Sequence, residues 1–359
     1  MSNIPFVQSG SEPSTSLFSL PFGFLSFSFA LLILGNLACS TSEGKTYTPA
    51  EVKSSELADV VADTMLQLDT ADYQNRLNAL IMEDTTGKWN AIQAPYPAIG
   101  AILPFKRVVA YYGNFYSKRM GILGELPEEE MLAKLKTEIE KWELADSLTP
   151  VMPAIHYIAV TAQRDPGKEK KYRQRMPKTQ IEKALNMAKK IDAIVFLDVQ
   201  VGLSTLEEEL PLLDSFLAMP HVHLGIDPEF SMKTGARPGK KIGSFDAREV
   251  NYAAGYLAEL VKRYKLPPKI LVVHRFTGPM LTNYQDIKLL PEVQIVVEMD
   301  GWGGKAKKKG TYRLVIHPEP VQFSGFKIFY KHDTKLGKNE MQPEEVLQLV
   351  PKPIYIQYQ

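Results

Sequence analysis

The feature that most constrains this chain is an alternation. From residue 107 onward, short β-rich runs take turns with helical stretches, the signature of parallel βαβ units. Eight such runs stand at 107–115, 151–160, 193–201, 222–230, 269–276, 293–301, 325–330 and 354–359. The intervening stretches 127–146, 179–190, 205–219 and 246–265 carry apolar residues three or four apart, as a helix with one buried face requires. The later connections are shorter and poorer in helix. Eight strands over about 250 residues is the size of a closed (β/α)8 barrel of the TIM type. The competing open, doubly wound sheet would carry a glycine-rich phosphate loop after its first strand, where this chain has Tyr112-Gly113-Asn114-Phe115. The expected architecture is α/β: one (β/α)8 barrel over 106–359, preceded by a signal peptide (1–39) and by a tether and helical extension (40–105).

The expected tether is the polar stretch 40–53, and Leu57, Val60, Val61, Met65 and Leu68, then Leu77 and Leu80, recur at helical spacing behind it. Pro95, Pro97 and Pro104 close the extension. The single cysteine excludes an intrachain disulfide, so the stability must come from a buried core. With 42 Lys+Arg against 41 Asp+Glu there is no field of one sign to gather nucleic acid, and no nucleic-acid partner is expected.

Cys39 follows the apolar run 22–34, which is short for a membrane span, and Ala38 precedes it. This segment resembles a bacterial lipoprotein signal peptide, in which the cysteine becomes the lipidated first residue. The resemblance implies a membrane-anchored protein of the cell envelope. Two features depart from the pattern: Asn36 and Leu37 replace the usual aliphatic and small residues, and no Lys or Arg precedes Lys45.

In a parallel barrel, alternate residues point inward and the active site gathers at the carboxyl ends of the strands. In the run 222–229, Val222, Leu224 and Ile226 share the parity that faces the helices. His223, Gly225, Asp227 and Glu229 share the other, which sets two carboxylates at the mouth. Other runs likewise begin apolar and end polar, with Asp198 and Gln200, with His274, and with Glu298 and Asp300; Lys327, Gln357 and Tyr112 join them. Such termini are costly to bury unless solvated or paired. His223, early in its strand, reads as structural. Trp302, among three glycines, has no evident core to join and suits stacking on a sugar. Arg164, Tyr172, Arg173 and Arg175 read as a solvated loop, or as substrate-binding groups if that loop folds over the mouth.

The stretch 111–359 resembles an uncharacterised family of bacterial exported lipoproteins. The resemblance rests on Tyr111-Tyr112-Gly113, Asp165-Pro166-Gly167, Asp227-Pro228-Glu229, Val273-His274 and Gly325-Phe326-Lys327, among other landmarks. It implies a location and no chemistry. At position 156 it leads one to expect an acid, which speaks against a role for His156. Asp227-Pro228-Glu229 also resembles, in part, the Asp-x-Glu of chitinase-like and lysozyme-type glycosidases, in which the Glu protonates the leaving oxygen. Those enzymes carry further aspartates upstream, where this chain has His223 and Gly225.

Three readings follow. In the first, a glycoside hydrolase, Glu229 is the acid, Asp227 orients it, and Asp198 or Glu298 acts across the cleft. Gln200, His274, Asp300, Trp302, Lys327, Gln357 and Tyr112 then bind substrate, with no cofactor. In the second, a hydrolase or lyase, Asp198, Asp227, Glu229, His274 and Asp300 surround a divalent metal. The third is a tethered protein that binds carbohydrate or peptide without turnover.

Overall fold

The computed structural model describes residues 68–335 and 339–359. Cys39, the apolar run before it and the expected tether lie outside the described residues. Among the described residues, no helix is long and apolar enough to cross a membrane.

Eight parallel strands form the sheet: β1 (Arg107–Gly113), β2 (Val151–Ala162), β3 (Ile194–Val199), β4 (Val222–Ile226), β5 (Lys269–Arg275), β6 (Val293–Met299), β7 (Phe323–Ile328) and β8 (Tyr355–Tyr358). Each pairs with the next, and β8 returns to β1, with Val108 opposite Tyr355. The sheet therefore closes into a (β/α)8 barrel and leaves no edge to protect. Seven strands fall within a residue or two of the runs read from the sequence; the fourth, expected over 222–230, ends at Ile226, and Pro228–Phe230 form a turn instead.

Closure follows from the two-residue period. Val109, Val195, Leu224, Val273 and Ile295 point outward into the layer between strands and helices. Val108, Ala154, Phe196, Ile270 and Val296 point inward and fill the lower barrel. The long helices of the outer ring are α2 (Glu128–Ala145), α3 (Lys178–Lys189) and α4 (Ala247–Tyr264). An earlier helix, α1 (Thr70–Ile81), packs Leu77 and Leu80 against the interior cluster. The start of α4 is fixed by a capping box: Asp246 accepts from the first-turn backbone while the Glu249 carboxylate accepts the Asp246 N–H.

Two further expectations are corrected. The stretch 205–219 is not one helix but three short pieces, Leu206–Glu209, Leu210–Leu213 and Asp214–Leu217. Pro211, which has no N–H to give to a continuous helix, stands at the break. Nor are Arg173 and Arg175 solvated or turned to a substrate. They form a short strand antiparallel to the end of β2 and grip the fully buried Glu209 at 2.6 and 2.7 Å.

Candidate active site at the barrel mouth

Seven of the eight strands deliver a polar side chain to the upper barrel; β4 passes with Gly225. Tyr112 comes from β1, His156 from β2, Asp198 from β3, His274 from β5, Glu298 from β6, Lys327 from β7, and Tyr355 and Gln357 from β8. Beyond the strand ends follow Gln200 after β3, Asp227 and Glu229 after β4, and Asp300 after β6. All are on the inward parity.

The deep layer centres on Asp198. Its Oδ2 accepts the Tyr112 hydroxyl at 2.9 Å, while Oδ1 lies 3.5 Å from His156 Nε2 and 3.3 Å from His274 Nε2. His274 Nδ1 faces Glu298 Oε2 at 2.9 Å and Asp300 Oδ2 at 3.0 Å. His156 Nδ1 lies 2.6 Å from the Tyr355 hydroxyl and 3.1 Å from Gln357 Nε2. Asp198, His156, His274, Glu298 and Gln357 are closed off from solvent.

Burial alone would raise the Asp198 carboxyl, but His274 and His156 outweigh it and hold it ionised, far below the usual range. Burial pulls His156 down to about 4, so it is neutral near pH 7. Burial also works against a charged His274, yet Asp198 and Glu298 on either side raise it well above its ordinary value. Burial raises Glu298, with His274 and Lys327 opposing.

The upper layer is where solvent reaches. Glu229 is half-buried in the turn Pro228–Phe230, whose backbone is pinned where Asp227 Oδ1 accepts the Glu229 N–H at 3.0 Å. Gln200 Nε2 reaches Asp227 Oδ2 at 3.3 Å and the Tyr112 hydroxyl at 3.4 Å, while its oxygen accepts the Ala162 N–H at 3.0 Å. Lys327 Nζ bonds Asp300 Oδ1 at 3.1 Å and sits 3.8 Å above the Tyr112 ring.

The two solvent-reaching carboxyls are driven apart. Burial, with the Asp300 charge added, pushes Glu229 up to about 7 against the pull of Lys327 and His274. Burial would raise Asp300 as well, but Lys327 and His274 reverse this and keep it ionised below the usual range. Asp227 is raised well above its ordinary value, chiefly by burial, with Glu229, Asp198 and Asp300 contributing.

The structure thus gathers Tyr112, Asp198, Gln200, Asp227, Glu229, His274, Glu298, Asp300, Lys327 and Gln357 at one end of the barrel. Trp302 is 49% exposed, with the His332 ring at 5.8 Å and Lys307 Nζ at 4.6 Å. His223 accepts the Ile270 N–H at 2.9 Å and serves the lower barrel. His156, set aside in the sequence, lies at the centre, and Tyr355 was not singled out. Their shared signal was inward parity, two residues before Ile158 and Gln357, masked because neither residue ends its strand.

No protein-family model matches the sequence, and neither does any curated protein. Among solved structures, a GH5-4 broad specificity endoglucanase from Clostridium longisporum aligns with a TM-score of 0.34 and 12% identity, covering 62% of this chain and 75% of that one. A likeness so loose carries no weight for the site; the barrel itself rests on the strand pairings above.

Proposed function

We propose that the barrel mouth hydrolyses glycosidic bonds, with Glu229 as the general acid and Asp300 as the ionised carboxylate working opposite it. The observation that carries this reading is the divergence of two neighbouring carboxyls, one held protonated up to about pH 7 and the other held charged. Glu229 gives its proton to the leaving oxygen as the glycosidic bond breaks. Asp300 stabilises the positive sugar ring and takes the proton of the incoming water. Asp198 and Glu298, the earlier candidates for that second role, are fully enclosed. Asp227 orients the Glu229 turn, and Gln200 and Tyr112 offer hydrogen bonds to sugar hydroxyls.

The same proposal places the protein at the bacterial envelope, held by a lipid on Cys39. Support comes from the apolar run 22–34, the Ala38-Cys39 pair that follows it and the polar stretch beyond. Fatty-acid labelling of cells should mark the wild-type chain and not the Cys39→Ser variant; equal labelling, or none in either, refutes the anchor.

The test of activity is release of reducing ends from envelope and plant glycans. Loss of one general acid costs about 10²–10⁴ in rate, so the Glu229→Gln variant should fall by that factor while keeping its fold. Binding of a glycan without cleavage, unaltered in Glu229→Gln, would mean a carbohydrate-binding protein instead.

A further inference from the structure

Seven buried polar atoms of the deep layer lack a hydrogen-bond partner: His156 Nε2, Asp198 Oδ1, both ring nitrogens of His274, both carboxyl oxygens of Glu298, and Gln357 Oε1. The imidazole nitrogens face carboxylate oxygens at 2.9–3.5 Å, so nitrogen and oxygen donors to a cation are already crowded together here. A buried polar atom left without a hydrogen-bond partner is costly, and here seven stand together. A cation that displaces the His274 proton would satisfy several of these atoms at once.

Three of the seven converge. His156 Nε2, Asp198 Oδ1 and His274 Nε2 all lie within 4.8 Å of one another, each from a different strand. From this we infer that the chain binds a divalent cation of the zinc class between His156, Asp198 and His274, beneath the mouth and independently of what the mouth acts on. Two imidazole nitrogens with one carboxylate oxygen suit zinc-like ions rather than magnesium or calcium, which prefer oxygen alone. Bonds of about 2.0–2.1 Å in a tetrahedron put adjacent ligand atoms about 3.3–3.4 Å apart. The observed spacings to Asp198 Oδ1 are 3.3 and 3.5 Å.

The surroundings are those of ligands held for a metal. His274 turns its other nitrogen to Glu298 and Asp300, the carboxylate–histidine arrangement that aims Nε2 at an ion. His156 turns its other nitrogen to the Tyr355 hydroxyl. The Gln357 amide can face that nitrogen with either end; with its oxygen inward, Nδ1 keeps the proton and the Nε2 lone pair is free. The Tyr112 hydroxyl occupies Asp198 Oδ2 and leaves Oδ1 available. Finally, β4 passes this point with Gly225: a Cβ there would stand 2.4 Å from His156 Nε2 and 2.6 Å from Asp198 Oδ1. Only glycine leaves the space beside these atoms open.

The test uses the full chain, stripped with a chelator and titrated with Zn²⁺. We expect one equivalent bound and a rise in melting temperature that chelator reverses; Co²⁺ should give the intense visible bands of a four-coordinate site. His274→Ala and Gly225→Ala should each abolish the uptake, whereas His221→Ala, at an exposed histidine, should keep it. The Co²⁺ spectrum and thermal shift of the wild type need no variant and stand even if the variants fail to fold. No stoichiometric uptake by folded wild type, a weak six-coordinate Co²⁺ spectrum, or unchanged uptake in folded His274→Ala overturns the site. None of these readouts involves glycan cleavage, so failure here is separable from failure of the hydrolase reading.

Discussion

Glu229 offers a prediction that needs no substrate. In the folded protein its carboxyl is raised from the usual 4.5 to about 7, chiefly by burial and then by the charge of Asp300. Between those values the folded state holds a proton that the unfolded chain has released. Stability is therefore greatest at the acid end, falls as pH rises through this window, and reaches its full deficit above about 7. At about 1.4 kcal/mol per pH unit, the loss from this one group comes to roughly 3 kcal/mol. A Glu229→Gln chain keeps the shape but has no proton to lose. Urea unfolding of both chains at about pH 5 and about pH 8, in chelator, isolates the effect, since other titrating groups are shared. The variant should gain on the wild type by about 2–3 kcal/mol across that interval. A wild-type-to-variant difference that stays constant with pH would show that Glu229 titrates normally. The assignment of the acid would then fall with it.

Two further outcomes follow from the same geometry. Lys327→Met takes from Asp300 one of its two cationic partners, leaving His274 Nδ1 at 3.0 Å, and should cost about 3 kcal/mol in denaturant unfolding. It also removes a charge that holds Glu229 down, so the pH window of the Glu229-linked loss should move upward; no movement refutes that coupling. Glu209→Gln, which deprives both Arg173 and Arg175 of a fully buried carboxylate, should also cost several kcal/mol, whereas Lys190→Gln, removing an exposed pair with Glu128, should cost under about 1 kcal/mol.

The barrel was legible because its rules are local and repetitive. The strand period recurs eight times, with helical spacing between the earlier runs, and any closed parallel sheet of that length must put Val222, Leu224 and Ile226 on one side and His223, Gly225 and Asp227 on the other. The inward parity of Asp198, His274, Glu298 and Lys327 was readable for the same reason. The break at Pro211 was also written in the chain, but the apolar spacing around it suggested one continuous helix.

What only the tertiary structure decided is depth and partnership. Whether a polar strand end meets solvent depends on the stagger between neighbours, which closure of the barrel sets and no single strand encodes. Asp198 lies beside Gly225, and His274 beside Glu298, through register alone. That register sinks Asp198 and Glu298 out of reach while Asp300, two residues beyond Glu298, surfaces. It also brings His156, a mid-strand residue with nothing local to mark it, to the same oxygen as His274. Sequence pattern assigns each side chain to a face; the distances that make one carboxyl an acid, its neighbour an anion and three others a cage arise only when eight strands meet.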